Sequence, residues 1–391
     1  MSNNKVYFIS GGGTGGHIYP AFTVVEKLLK EDDTEKIYFI GNPNNLEFEI
    51  AKNYPQVEFL PVDVSGMPRK LNFSLLKWCF QLLKAYLKAC SYVNKYKPNA
   101  IFTTGGYVSA PIVLAAISKN KPYMIHDCDS IPGLVSKMAA PKAKVVSVAF
   151  ENSKKLLKSN NIIFNGNPVR EAFFTVTKKD ARSKLNIPED KTVIFAMGGS
   201  QGAKTINTAM ARLLKTLVEE FNAFVIMQTG KKNIDEVTIE LEEIYPEFKN
   251  NPNIMVRPYF DEMVYPLKAS DVVVARAGSV SLTEILQCNL ASILVPYPYA
   301  AQDHQRKNAK EMCEKGVSLY LEDSECSEEN LLFKIKEILS NIVPMSAKAK
   351  ELAKTNPTEE IVKQLKSIIE WFTNKQLNYY NHKGNFISTL V

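Results

Sequence analysis

The sequence has no C-x-x-C pair; its six cysteines, Cys79, Cys90, Cys128, Cys288, Cys313 and Cys326, are widely separated from one another. That spacing excludes a zinc module and a disulfide framework, and it fits a reducing cytoplasm. No apolar run approaches the ~20 residues that span a bilayer, so the chain is expected to be soluble or to sit on a membrane surface. The first residues pass directly into Lys5-Val6-Tyr7-Phe8-Ile9, which predicts a strand and not the staged pattern of a secretory signal. Strong charge of one sign is also missing. The net charge of +7 permits attraction to anionic lipids, nucleotides or nucleic acid without choosing among them. No helix-turn-helix, zinc-finger or aromatic RNA-binding signature accompanies it, which argues against a nucleic-acid partner. What is present is length and apolar content. A chain of 391 residues, 45% of them hydrophobic, is long enough for two or three domains with sizeable cores.

Short apolar runs alternate with helical-period stretches throughout, the pattern of βα units that build parallel sheets. Strands are predicted at 5–10, 36–40, 57–62, 99–103, 121–125 and 144–148. A second series is predicted at 192–197, 223–227, 253–257, 271–275, 291–295 and 317–321. Between the series lies the turn-rich Asn165-Gly166-Asn167-Pro168-Val169-Arg170, which places a domain boundary near 168. The fold class is therefore α/β, with two halves of similar size. Residues 357–373 set Ile361, Leu365, Ile368, Ile369 and Phe372 on one helical face and predict a closing helix. Residues 376–391 are expected to form a loosely held tail.

Two glycine loops carry the chemistry. The first strand runs into Gly11-Gly12-Gly13-Thr14-Gly15-Gly16-His17, with a helical pattern from about Tyr19. Glycine lets backbone approach a ligand, and a helix start offers free N–H groups and partial positive charge to phosphate. The spacing also fits a dinucleotide fingerprint, but the second strand ends Phe39-Ile40-Gly41-Asn42-Pro43, without the acid that would hold a ribose, so NAD is disfavoured. The second loop, Gly198-Gly199-Ser200-Gln201-Gly202-Ala203, opens the second half in the same way. One such loop is a turn; two argue for a diphosphate-bearing ligand in a cleft between the halves. Further on, Ser281 or Thr283 can cap a helix, while Glu284 can accept two hydroxyl protons of a ribose. The connection 297–308 concentrates Gln302, Asp303, His304, Gln305 and Asn308, groups suited either to sugar hydroxyls or to water.

Between Leu71 and Lys95, Lys77, Lys84, Lys88 and Lys95 fall within about 40° on a helical wheel, beside an apolar arc of about 200°. The arc is wider than a core-facing stripe needs. Either the helix is fully buried with solvated lysines, or Leu75, Trp78 and Phe80, with Lys70 and Lys77, dip into an anionic membrane surface.

Taken in order, Gly12-Gly13-Thr14-Gly15-Gly16-His17, Gly105-Gly106-Tyr107-Val108-Ser109-Ala110-Pro111, Gly166-Asn167-Pro168-Val169-Arg170, Gly198 to Ala203 and Ser281-Leu282-Thr283-Glu284 resemble the motif series of the bacterial MurG glycosyltransferase family. The resemblance covers about residues 5–373. It implies a GT-B fold of two Rossmann-like domains facing across a cleft, 1–168 and 169–356, with helix 357–373 completing the first. It implies inverting transfer of N-acetylglucosamine from UDP-N-acetylglucosamine to the undecaprenyl-linked lipid I, on the cytoplasmic face of the cell membrane, with no cofactor and no metal. On this reading Ser200 holds the diphosphate, Glu284 the ribose, and Arg170 with the backbone near Phe260 the uracil. Ser279, Val280, Ser281, Leu282, Thr283 and Glu284 form the nucleotide loop, and Gln305 reads the sugar. Thr14, Gly15 and Gly16 face the donor or the acceptor diphosphate, near Tyr107 and His126. His17 is the candidate base, its alternative role being to orient the glycine loop. Where the family usually shows His-Glu-Gln-Asn, this chain has His126-Asp127-Cys128-Asp129, which puts an acid, Asp129, where a donor-sugar amide is expected and also creates a D-x-D triplet of the kind that holds a metal elsewhere.

Overall fold

A computed structural model describes residues 4–68, 73–199 and 201–387. Contacts divide the chain into two units, one comprising residues up to Pro168 together with those from Asn356 onward, the other Val169–Thr355.

The first unit is a seven-stranded parallel sheet. Its strands are β1 (Lys5–Ser10), β2 (Thr34–Gly41), β3 (Val57–Pro61), β4 (Ala100–Thr103), β5 (Tyr123–Asp127), β6 (Val145–Val148) and β7 (Ile162–Phe164), in the order β3-β2-β1-β4-β5-β6-β7. The central strands are buried on both faces, as a parallel sheet covered by helices requires. Phe8 of β1 lies opposite Tyr38 on one side and Ile101 on the other. The three-residue β7 is absent from the sequence-based strand set, being too short to show a period. Helices α1 (Gly15–Leu28), α2 (Leu46–Ala51) and α3 (Phe73–Tyr96) follow the first three strands.

The closing helix, Pro357–Ile387, returns to this unit, and Ile361, Val362, Leu365, Ile368 and Ile369 pack with Tyr7, Ile9, Phe22 and Phe102 in one core cluster. Asn165 and Gln364 exchange a reciprocal pair of amide hydrogen bonds at 2.8 and 3.1 Å. Residues 376–387, expected as a loose tail, continue the helix instead; with no proline there and a single glycine, Gly384, little in the local sequence interrupts the backbone ladder.

The second unit repeats the plan with six parallel strands: β8 (Thr192–Met197), β9 (Ala223–Gln228), β10 (Ile254–Arg257), β11 (Val272–Ala275), β12 (Ala291–Leu294) and β13 (Ser318–Tyr320), ordered β10-β9-β8-β11-β12-β13. The α/β class and its two parallel-sheet domains are as expected. In each sheet the chain reverses its direction of travel at one place, between β1 and β4 and between β8 and β11. Loops leaving the carboxyl ends of strands diverge there, which makes room for a ligand. Among the described residues no helix is long and apolar enough to cross a membrane.

Candidate functional site

In the first unit the two strands flanking the reversal, β1 and β4, each run into glycines. Gly106 has φ +76°, and a Cβ on it would lie 2.2 Å from the Gly12 carbonyl oxygen, so the two loops meet backbone to backbone. Only glycine allows this approach. Thr104 Oγ1 donates to the His17 carbonyl at 2.6 Å and locks the pair of loops. Helix α1 starts at Gly15, four residues earlier than the sequence pattern indicated, with Thr14 as its extended N-cap. Gly15, Gly16 and His17 are thus its first turn, with the amides of His17 and Ile18 bonded to the Thr14 carbonyl at 3.0 and 3.1 Å. As at any helix start, the amides before them point toward a ligand or solvent.

The His17 ring stands over Gly105 and Gly106, with its Nδ1 buried and without a hydrogen bond among the described residues. Its charge interacts with that of Asp127. Burial pushes the Asp127 carboxyl above the usual range, and the charge of Asp129 acts in the same sense, whereas the Ser136 hydrogen bond and His17 oppose it. The Asp127 oxygens accept the amides of Asp129 and Gly133 at 3.4 and 3.3 Å, so this member of the D-x-D triplet is turned into its own loop. Asp129 is half-buried, and its carbonyl accepts from Ser153 Oγ at 2.8 Å. Among the described residues no group of three or more metal-ligating side chains gathers.

Tyr107 is half-buried; its ring stands against Gly13 and its hydroxyl accepts from Asn45 Nδ2 at 3.1 Å. His126, expected on the acceptor side, is instead an internal strut. It is fully buried, burial lowers its pKa to about 4, and both ring nitrogens are engaged, Nδ1 with Ser147 Oγ at 2.8 Å and Nε2 with Asn167 Oδ1 at 2.9 Å. Because Asn167 Nδ2 donates to the Cys128 carbonyl, its Oδ1 is the acceptor and His126 Nε2 carries the proton. Glu47 is a residue that the sequence reading missed. It lies fully buried on α2, and its Oε1 accepts the Asn42 amide at 3.1 Å and would stand 2.7 Å from a Cβ on Gly12. The search for an acid stopped at the end of β2, six residues short of it.

The second unit has the same plan. After β8, Gly202 takes φ +79°, and a Cβ there would lie 1.9 Å from the Thr229 carbonyl oxygen. Asn233 Nδ2 holds the Gln201 carbonyl at 3.0 Å, and Gln228 Nε2 holds that of Gly199 at 3.3 Å. The loop then enters the helix Lys204–Glu219. Ser200 lies outside the described residues.

After β11, the helix Ser279–Gln287 begins with Gly278 as its N-cap, so neither Ser281 nor Thr283 caps it. Ser279, Val280 and Ser281 form its first turn. The Thr283 hydroxyl donates to the Ser279 carbonyl at 3.0 Å. Leu282, expected among the ligand contacts, belongs to the interior: its side chain is buried and its amide is bonded to the Gly278 carbonyl at 3.0 Å. Glu284 lies beyond the first turn and is half-buried; burial pushes its carboxyl up to about 7, against the pull of Arg170. The Phe260 ring is buried edge-on to Phe195, and its N–H donates to Gln228 Oε1 at 3.0 Å, which leaves the carbonyl as the backbone group for a base.

Gln305 Oε1 accepts the Tyr297 amide at 3.0 Å, which leaves its NH₂ as the end able to donate to a ligand. His304 Nδ1 is 2.7 Å from the Ala301 carbonyl. Asn308 is buried and pins the Ala277 carbonyl at 3.2 Å, a structural duty and not one of sugar reading.

On α3, Ala85, Ala89, Cys90 and Val93 face the core. Phe73, Leu76, Phe80, Leu83 and Leu87 are exposed, Phe73 at 88% and Phe80 at 75%, and together they make a stripe about 80° wide along the helix. Of the residues expected there, Phe80 and Lys77 are exposed. Leu75 and Trp78 are half-buried, and the Trp78 indole N–H donates to the Ser65 carbonyl at 2.8 Å, which ties Trp78 to the preceding loop. Lys70 lies outside the described residues.

Residues 7–148 match the model of the glycosyltransferase family 28 N-terminal domain, and residues 193–365 that of the family 28 C-terminal domain. The UDP-N-acetylglucosamine–N-acetylmuramyl-(pentapeptide) pyrophosphoryl-undecaprenol N-acetylglucosamine transferase of Caldanaerobacter subterraneus subsp. tengcongensis is 34% identical over 367 residues, 93% of this chain and 99% of that protein. The protein of the same name from Clostridioides difficile is 33% identical over 366 residues, 92% of this chain and 88% of that one. The crystal structure of Acinetobacter baumannii MurG superposes with a TM-score of 0.74 at 25% identity, covering 93% of this chain and 99% of that one. The Neisseria meningitidis UDP-GlcNAc 2-epimerase shares the fold, with a TM-score of 0.64 at 12% identity over 93% of this chain and 100% of that one.

Proposed function

That the chain belongs to the MurG family of glycosyltransferase family 28 is the premise from which we propose its reaction: transfer of N-acetylglucosamine from UDP-N-acetylglucosamine to the C4 hydroxyl of the muramoyl sugar of lipid I, with inversion, forming lipid II. The observation that carries this reading is the placement of a glycine loop and a helix start at the strand reversal of each sheet, so that each domain presents amides to an anion.

The second domain takes the donor. Glu284, as carboxylate, accepts the two ribose hydroxyls; Arg170 and the Phe260 carbonyl meet the uracil; the loop after β8 and the helix start at Lys204 meet the diphosphate. Gln305 reads the sugar through its NH₂. The first domain takes the acceptor, with Thr14, Gly15 and Gly16 toward its diphosphate and Tyr107 beside them. His17 removes the proton of the attacking hydroxyl as oxygen bonds to the anomeric carbon and the bond to the β-phosphate breaks. Asp127 stabilises the imidazolium that results. UDP leaves with its new charge spread over helix-start amides, so the step requires no metal.

The lipid acceptor is met at a membrane. The stripe Phe73, Leu76, Phe80, Leu83 and Leu87 enters the headgroup region, and Lys77, Lys84 and Lys88 alongside it face anionic lipid on the cytoplasmic leaflet. Calorimetry with UDP-N-acetylglucosamine, UDP-glucose, UDP-N-acetylgalactosamine and NADH tests the donor. Heat with the first well above the rest, and UDP release only when lipid I is added, is the expected result; UDP release without acceptor indicates an epimerase.

A further inference from the structure

One guanidinium in the second domain joins three of the segments assigned to the donor. Arg276 follows β11 and stands two residues before Gly278, the N-cap of the helix that carries Glu284. Its Nη1 donates to the carbonyls of Val295 and Pro296 at 3.1 and 3.3 Å and pairs with Asp323. Those carbonyls begin the connection that leads to Gln305. Its Nη2 donates to Thr205 Oγ1 at 3.1 Å, and that hydroxyl donates to Asp323 Oδ1 at 2.5 Å, closing a triangle. Thr205 is the second residue of the helix that receives the diphosphate. The guanidinium also lies 5.6 Å from the ring of Tyr297, whose amide is held by Gln305. The ion pair is largely shielded, with 12% and 16% of the two side chains exposed.

We propose that Arg276 is a positioning residue that fixes the diphosphate-binding helix start and the sugar-reading loop relative to each other, so that the sugar-diphosphate part of the donor, and not its nucleoside, depends on it. The proposal rests on the donor assignment above. Chemically, the planar fork meets carbonyl, carboxylate and hydroxyl acceptors at once, which a lysine ammonium on a flexible stem cannot reproduce. Among the described residues, no hydrogen bond joins the nucleoside groups, Arg170, Glu284 and the Phe260 carbonyl, to this triangle.

The test uses the whole chain, with Arg276→Lys and the near-isosteric Thr205→Val, which cuts only the link to the diphosphate helix. Uridine binding is followed by NMR, UDP-N-acetylglucosamine binding by calorimetry, and turnover by UDP release with lipid I. Arg276→Lys is expected to leave the uridine Kd within about twofold, raise the KM for UDP-N-acetylglucosamine about tenfold, and leave the KM for lipid I unchanged. Thr205→Val is expected to shift the same quantities in the same direction by less, and the double variant to lose little beyond Arg276→Lys alone. Equal weakening of uridine and UDP-N-acetylglucosamine makes Arg276 merely structural and overturns the proposal, as does unchanged donor affinity in both variants. A wild-type protein that binds neither ligand instead brings down the donor assignment, and the proposal with it.

Discussion

On the proposed donor assignment, the charge state of Glu284 governs how its carboxyl meets the ribose. Burial raises its pKa from an ordinary 4.5 to about 7 in the folded protein. Between those values the folded state binds more protons than the unfolded one, so the contribution to stability is complete below about pH 4.5 and is lost as pH rises through 7. Ribose recognition needs the carboxylate, so UDP affinity should increase from pH 6 to pH 8. Glu284→Gln should bind UDP weakly at both values and should lose less stability than the wild type between pH 5 and 8, as read by urea unfolding. His17 supports a separate expectation: His17→Ala should lower kcat by about 10²–10⁴ while UDP affinity stays unchanged, and a loss below about tenfold would remove it as the base. The residues legible from sequence were those whose surroundings are local. Gly15, Gly16, Arg170 and Glu284 sit in or beside turns that announce themselves by composition. The burial of His126 and Leu282 was not legible, because a motif shows what adjoins a residue along the chain and hides what covers it; the Ser147 and Asn167 partners of His126 come from other segments. Glu47 and Arg276 were missed for the same reason, since the Gly12 loop that Glu47 borders follows a different strand and Thr205 and Asp323 lie far along the chain from Arg276.

At the level of elements, the parallel strands were readable because both faces are buried and each becomes a short apolar run, whereas β7, three residues beside the turn-rich linker, leaves no such trace. The wide apolar arc of α3 resolves into two jobs, Leu82 and Tyr86 packing against the core beside Ala85 and Ala89 while Leu76, Phe80, Leu83 and Leu87 stay exposed. Of the outer members read from sequence, Phe80 and Lys77 are exposed, whereas Leu75 and Trp78 are half-buried, Trp78 being tied to the Ser65 carbonyl. A Phe80→Glu, Leu83→Glu variant should therefore lose sedimentation with anionic vesicles while its melting temperature holds, because neither side chain supports the core. Unchanged sedimentation would exclude the stripe as the docking face. Adding salt should weaken wild-type binding, since the lysines beside the stripe act through screened charge.

At the scale of the whole molecule, the alternation of strand and helix and the glycine loop were legible twice because each half writes them in contiguous sequence, whereas the strand order with its reversal was not. The return of the closing helix to the first sheet shows only as an amphipathic face without an address. Leu365, fully buried among first-domain residues, should on replacement by Ala cost about 2–5 kcal/mol in urea unfolding. Its loss should be reported by probes in the first domain.

The same helix has a consequence for biogenesis. Ribosomes deliver residues 1–168 before Val169–Thr355, yet a layer of the first unit's interior, Ile361 to Ile369, is translated only after that second unit. The segment that can finish while synthesis continues is the uninterrupted Val169–Thr355. The nascent amino-terminal half must wait, with apolar surface near Tyr7 and Phe22 uncovered, until the final helix emerges. Termination just after Thr355 therefore yields one complete lobe and one that lacks its closing helix and that chaperones or proteases will handle.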